Sequence, residues 1–244
     1  MPKYLLFPIL FVSLFQNCSN AQNPEPTGNS GFALVELFTS EGCSSCPPAD
    51  ALVNDLYKQS TENKQAIFIL NFHVDYWNYL GWKDPYSREE FTQRQYVYGE
   101  HFENGRVYTP EMHVNGGKAF VGSESAEVRS QIKNALEKLS PNRISLNYSD
   151  GKLSYSAVNK VSGNEQVYLA FIEFNCSSAI TAGENEGKKL FHNSVVREFR
   201  KLNSDSSGAI EVPVAYRNKN KYGAVIWTQN FESMTISSAA QVTW

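Results

Sequence analysis

The chain has 244 residues, of which 41% are hydrophobic and 19% charged, with a formal net charge of -3 and four cysteines. That composition excludes a disordered chain, and with no basic stripe it also excludes a nucleic-acid binder. A chain of this length buries a core without a framework of disulfides, and it reads as two domains.

The first residues, MPKYLLFPILFVSLFQNC, carry Lys3 and then an apolar run. At about a dozen residues the run has the length of an export-signal core and is too short to span a bilayer. Residues 1–22 are therefore expected to be a signal peptide or lipoprotein signal. Cys18 has the place of a lipid-acceptor cysteine, which would tether the protein to a membrane, while Ser19-Asn20-Ala21 offers an ordinary cleavage site. Either route exports the chain, to the periplasm or as an outer-membrane-anchored lipoprotein, where disulfide chemistry is permitted. Residues 23–31, rich in Pro, Gly, Asn and Ser, read as a linker.

The run FALVELF (32–38) reads as a buried strand. PADALVNDLYKQ (48–59) follows as a helix with Ala51, Leu52, Leu56 and Tyr57 on one face, and QAIFILNFHV (65–74) as a second apolar strand. Strand, helix, strand in this order implies parallel pairing. Ser87 and Glu90 have capping-box spacing at the start of REEFTQRQYVYGE. In VYTPEMHVNGGKAFVG (107–122) a proline enters a strand and Asn115-Gly116 signals a hairpin. SAEVRSQIKNALEKL (125–139) is an amphipathic helix with Val128, Ile132, Ala135, Leu136 and Leu139 inward, stopped by Pro141. From Arg143 the pattern alternates with period two through ISLNYSDGKLSYSAV, QVYLAFIEF, NSVVREFRKL, AIEVPVAY and YGAVIWTQ. Residues 142–244 are therefore expected to form an all-β antiparallel sandwich-like domain.

Chemistry concentrates at ELFTSEGCSSCPPADALVNDL (36–56). A thiol reacts as its thiolate, and the unpaired N–H groups at a helix start stabilise that anion. Cys43 lies just before the helix and is expected to be the exposed nucleophile. Cys46, about one turn in, resolves the mixed disulfide. Pro47 and Pro48 fit a first turn whose N–H groups have no partners, and Gly42 lets the chain turn out of the strand.

The order strand, C-x-x-C at a helix start, strand, helix, X-Pro, hairpin, helix resembles the thioredoxin fold over residues 32–140, so residues 32–141 are expected to be an α/β thioredoxin-like domain. By that resemblance Thr109-Pro110 is the cis-proline loop that faces the dithiol. VELFTSEGCSSCPPAD, HVDYWNYLGWKDPYS, VYTPEMHVNG and GENEGKKLFHNSVVREFR are similar to the secreted domain-of-unknown-function family 1223, which has no settled activity. In thioredoxin-like proteins a buried acid beneath the dithiol relays protons, and Glu36 is the candidate.

His73 and Asp75 alternate on one face at the end of the second strand and form a candidate relay or ligand pair. His113 and Met112 follow Pro110, and only one of them can face the dithiol. His101 and His192 show no partner in sequence. Cys176 reads as a small buried hydrophobe. The aromatic run DYWNYLGWKDPY (75–86) anchors a loop or offers a platform to an unfolded substrate.

The functional expectation is an exported thiol-disulfide oxidoreductase whose only prosthetic element is the redox-active disulfide Cys43–Cys46. Its partners would be a cysteine-containing protein substrate and a separate redox partner. One alternative is a copper-binding or metallochaperone module using Cys43 and Cys46 with His73 or His113, because thiolates favour soft ions. The other is a non-catalytic adaptor. The enzyme reading requires sulfurs close enough to bridge, beside the helix start, facing Pro110 and open to a substrate.

Overall fold

The computed structural model describes residues 31–140, 143–158, 161, 163–203 and 205–244. The expected signal, Cys18, the linker before Gly31, and Pro141 lie outside them. Strands β1 (Ala33–Thr39) and β2 (Ile67–His73) are buried along their whole length and pair in parallel from Ala33 opposite Ile67 to Thr39 opposite His73. Strands buried on both faces read as continuous apolar runs, which is why this pair is plain in the sequence. On the other side of β1, strand β3 (Glu111–Val114) runs antiparallel and continues into the short β4 (Phe120–Val121).

Helices α1 (Pro47–Asn63) and α3 (Ser125–Glu137) share a core with one face of this sheet: Val35 and Leu37 meet Leu52, Val53, Leu56, Val128 and Ile132. The inward stripe of α1 is Ala49, Leu52, Val53 and Leu56; Ala51, expected to be buried, is exposed. Leu139 is also exposed, because α3 ends two residues before it. Helix α2 (Glu89–Phe102) contributes Phe91 and Tyr98 to the core on the opposite face, with Leu34, Phe38 and Phe72. The expected capping box does not form. Arg88 takes the N-cap position without a side-chain bond, and the Ser87 hydroxyl donates to the Asp84 carbonyl at 2.9 Å.

The second half supplies β5 (Ile144–Ser149), β6 (Lys152–Ala157), β7 (Glu165–Glu173), β8 (Cys176–Ala179), β9 (Lys189–His192), β10 (Val195–Lys201), β11 (Ser207–Glu211), β12 (Tyr222–Asn230) and β13 (Ile236–Thr243). Within this half all pairings are antiparallel, as the alternation implies. The run AIEVPVAY splits at Pro213, which ends the strand portion and leads into a 3-10 turn at Val214–Tyr216.

The sheet of the second half does not stand apart as expected. Its strands join the first in one eight-stranded sheet, ordered β13-β12-β7-β10-β2-β1-β3-β4. The seam is Val195 of β10 opposite Asn71 of β2, and the Asn71 N–H donates to the Ser194 carbonyl at 3.0 Å. An open edge on β2 at Asn71 would leave a buried backbone donor unpaired, and the segment entering β10 satisfies it. The sandwich expectation holds in one place. There the three-stranded sheet β11-β6-β5 packs Leu146 and Leu153 against Val167, Leu169 and Ile226. The chain is a mixed α/β protein with large sheets.

Candidate active site at the Cys43–Cys46 disulfide

The chain leaves β1 at Thr39 and turns through residues 40–46 into α1. Backbone bonds from the Cys43 N–H to the Ser40 carbonyl (3.1 Å) and from the Cys46 N–H to the Cys43 carbonyl (3.3 Å) set the turn. Gly42 serves close approach here: a Cβ would come within 3.0 Å of the Trp77 Cβ. Cys46 is the N-cap of α1, and Pro47 and Pro48 fill its first turn. Cys43 and Cys46 are bonded as a disulfide, with Cα atoms 5.5 Å apart. The Thr109–Pro110 peptide is cis. The Thr109 carbonyl lies 3.8 Å from Cys43 Sγ and accepts from the Ser45 hydroxyl at 3.3 Å, while Trp77 Nε1–H donates to Thr109 Oγ1 at 2.8 Å.

Proximity, helix start and the facing loop agree with the sequence reading; exposure does not. Both cysteines are 0% exposed, so Cys43 is not the open nucleophile expected of it. Ser45 Oγ lies 3.3 Å from Cys43 Sγ, and a strap between β8 and β9 is bonded to the backbone of the same turn. Buried Asn185 donates through Nδ2 to the carbonyls of Glu41 (2.8 Å) and Cys43 (2.9 Å), and Lys188 Nζ donates to its Oδ1. Glu184 Oε2 accepts the Ser44 N–H at 2.9 Å. Gly183 (φ +79) and Gly187 (φ +81) bracket these residues in the left-handed region, which glycine enters without steric cost.

Charged side chains are buried alongside. His192 Nε2 pairs with Glu41 Oε1 at 3.1 Å, and its Nδ1 lies 3.6 Å from Asp50 Oδ1. Burial opposes charge on His192, but Asp50 and then Glu41 outweigh it and push the imidazole up to about 10. Both carboxylates thus favour the protonated ring. His73 Nδ1 pairs with Asp84 Oδ2 at 2.7 Å. Burial alone would raise Asp84, yet His73 and the amides of Glu41 and Tyr86 hold it below the ordinary carboxylate value. The His73 and His192 rings meet edge to face at 4.7 Å. His73 Nε2, His192 Nδ1, Asn71 Oδ1 and Ser194 Oγ are buried here without a hydrogen-bond partner.

The other sequence candidates fall elsewhere. Glu36 points to the α2 side of β1, opposite α1. Its carboxylate accepts from Arg94 Nε and the Tyr98 hydroxyl, both at 2.6 Å, so it is committed to an ion pair away from the dithiol. Asp75 is not the partner of His73. The strand ends at His73, alternation stops there, and Asp75 Oδ1 accepts from the Thr92 hydroxyl at 2.6 Å. Met112 packs in the α1 and α3 core. His113 lies on the opposite face, bonded to Glu111 (2.9 Å) and stacked on Tyr98 at 3.9 Å. Cys176 is buried and unpaired, and its thiol is pushed up to about 12 by burial and by Glu173. The aromatic run anchors its loop through Trp77 and through Trp82, whose Nε1–H donates to Glu41 Oε2 at 2.9 Å. Of the alternative copper ligands, His73 is paired with Asp84 and His113 with Glu111, and among the described residues no group of three His, Cys, Asp or Glu side chains is placed to hold a metal ion.

Sequence reasoning passed over Glu41, Asp50 and Asn185, and found no partner for His192. Asp50 was within reach, because it stands four residues after Cys46 on the same face of α1. His192 and Asn185 carry no local signal.

A mixed α/β chain with a C-x-x-C disulfide at the start of its first helix defines the class. The chain belongs to the family described as protein of unknown function, DUF1223, whose model matches residues 34–229. A crystal structure of an Agrobacterium tumefaciens protein is similar at 23% identity and a TM-score of 0.69, covering 86% of this chain and 93% of that one. HBP35 of Porphyromonas gingivalis is similar at 14% identity and a TM-score of 0.61, covering 88% and 76%. No curated protein matches.

Proposed function

We propose that the protein is an exported, thioredoxin-like thiol-disulfide oxidoreductase that exchanges the Cys43–Cys46 disulfide with cysteines of protein substrates and is recycled by a separate redox partner. The observation that carries the reading is the disulfide itself, held between the start of α1 and the Thr109 carbonyl. A substrate thiolate attacks Cys43 Sγ, the S–S bond breaks, and Cys46 leaves as a thiolate that takes a proton. A second substrate thiolate then attacks the mixed disulfide and releases Cys43. The substrate gains a disulfide and the protein becomes the dithiol; the reverse sequence reduces a substrate.

The order β1, α1, β2, cis-proline loop, β3–β4 hairpin and α3 supports the thioredoxin-like assignment. Because both cysteines are buried, exchange requires their surroundings to open, and the strap at 183–187, bonded to the Cys43 carbonyl and the Ser44 N–H, is the element we propose lifts. Exposed Tyr79 and Tyr108, next in sequence to Trp77–Asn78 and Thr109, offer apolar surface to an unfolded chain. Export rests on the apolar leader and lipid tethering on Cys18; among the described residues no helix is long and apolar enough to cross a membrane.

Insulin reduction and refolding of a disulfide-containing substrate, each with a Cys43→Ser control, test the reading. Activity in either assay that vanishes in the variant is expected. Silence in both, with a protein that dithiothreitol cannot reduce until it is unfolded, would make the disulfide structural and end the proposal.

A further inference from the structure

One imidazole links the two ends of the C-x-x-C turn. His192, at the end of β9, contacts Glu41, two residues before Cys43, and Asp50, four residues after Cys46. Cys46 already has helical angles (φ -78, ψ -37), and its carbonyl accepts the Asp50 N–H at 3.1 Å. Side chains four apart on a helix are neighbours, so the Asp50 carboxylate stands one turn below the resolving cysteine. Glu41, Asp50 and His192 are exposed by 0%, 3% and 1%, and charges so placed act on one another with little solvent screening.

We propose that His192 is a positioning residue of the dithiol, and that the Glu41–His192–Asp50 cluster sets how readily the reduced Cys43–Cys46 pair holds a thiolate. This rests on the redox reading of the pair. The groups facing His192 are few. Trp82 fixes the second oxygen of Glu41, and the Thr39 hydroxyl and Asn71 amide reach Asp50. The His73 ring, held by Asp84, lies at 4.7 Å and the Tyr86 ring at 5.8 Å. Cys176 is opposite His192 in the β8–β9 hairpin. Lys188 is engaged by Asn185. The one cation of the cluster is thus brought to the redox turn by an element of the other half of the chain, and it balances two carboxylates there. Without it both carboxylates bear on the sulfurs and a thiolate is harder to hold. Without Asp50 the imidazolium faces a single carboxylate and a thiolate is easier to hold.

The opposite signs are the test, because general loosening of the site would move both variants the same way. Thiolate absorbance of the reduced protein is titrated against pH for the unsubstituted chain, His192→Gln and Asp50→Asn. In His192→Gln the lower midpoint is expected to rise by about one pH unit, a roughly tenfold smaller thiolate fraction below both midpoints, and in Asp50→Asn to fall by a similar amount. Shifts of the same sign, or none in folded variants, overturn the proposal. Should His192→Gln fail to fold, His192→Lys keeps the cation and should hold the midpoint in place while Asp50→Asn still lowers it; an unmoved Asp50→Asn then overturns the proposal. The titration needs no substrate. Opposite shifts in a protein inactive toward disulfide substrates would sink the functional reading alone.

Discussion

Arg94 is what removes Glu36 from redox chemistry. Its guanidinium lies among the rings of Phe199, Trp227, Tyr98, Tyr168 and Phe72, at 4.9–5.6 Å from their centroids, and Nη2 also donates to Gln229. Breaking such a buried pair by removing one partner costs about 3–5 kcal/mol, so Glu36 has a structural reason to be an acid in an apolar strand. His192 carries a consequence for stability. Its folded value, pushed up to about 10 chiefly by Asp50 against the cost of burial, exceeds the ordinary value of 6.5. A raised value means stability is fully present below the unfolded pKa and is lost as pH rises through the folded one. Urea unfolding of the oxidised protein is therefore expected to show stability falling between about pH 6.5 and 10, by up to ~1 kcal/mol per pH unit. In His192→Gln this slope should flatten; an unchanged slope would assign it to other groups.

The β8–β9 hairpin carries the strap that is bonded to the backbone of Cys43 and Ser44. Both strands are four residues long, too short for periodicity to reveal, and neither was legible in the sequence. The glycines of GENEG were visible there, but nothing local says that Asn185 lands on the carbonyls of Glu41 and Cys43. Replacing Asn185 with Ala removes two hydrogen bonds worth ~1 kcal/mol each and leaves two carbonyls unpaired in the covered state. Reduction of the disulfide by dithiothreitol under native conditions should then run about tenfold faster or more. A rate equal to that of the unsubstituted chain would mean that the cover lies elsewhere, in Ser44–Ser45 or the Trp77 loop.

Across the whole molecule, a single core cluster spans both halves of the chain. Leu34, Phe38 and Phe72 from β1 and β2 pack with Ala170, Ile172, Val225, Trp227 and Ile236 from β7, β12 and β13. Neither half closes that core alone, so opening one exposes the other's apolar surface. Unfolding followed by tryptophan fluorescence and by far-ultraviolet circular dichroism is expected to give coincident urea transitions. Two separated transitions would show that the halves unfold independently.

What the amino-acid order determined is what neighbours within a few residues can enforce. The apolar runs gave β1 and β2, the prolines and spacing put Cys46 at the start of α1, and the alternation after Arg143 gave antiparallel strands. These are local dihedral and burial preferences, and they survive without knowledge of the rest of the chain. The tertiary structure alone decided that Glu36 would meet Arg94, 58 residues away, and that His192 would meet Glu41, 151 residues away. It also joined the two sheets at Asn71 and brought Asn185 to the Cys43 carbonyl. Such contacts depend on which surfaces remain unpaired once the strands have formed, and that choice is made by packing rather than by any short stretch of residues.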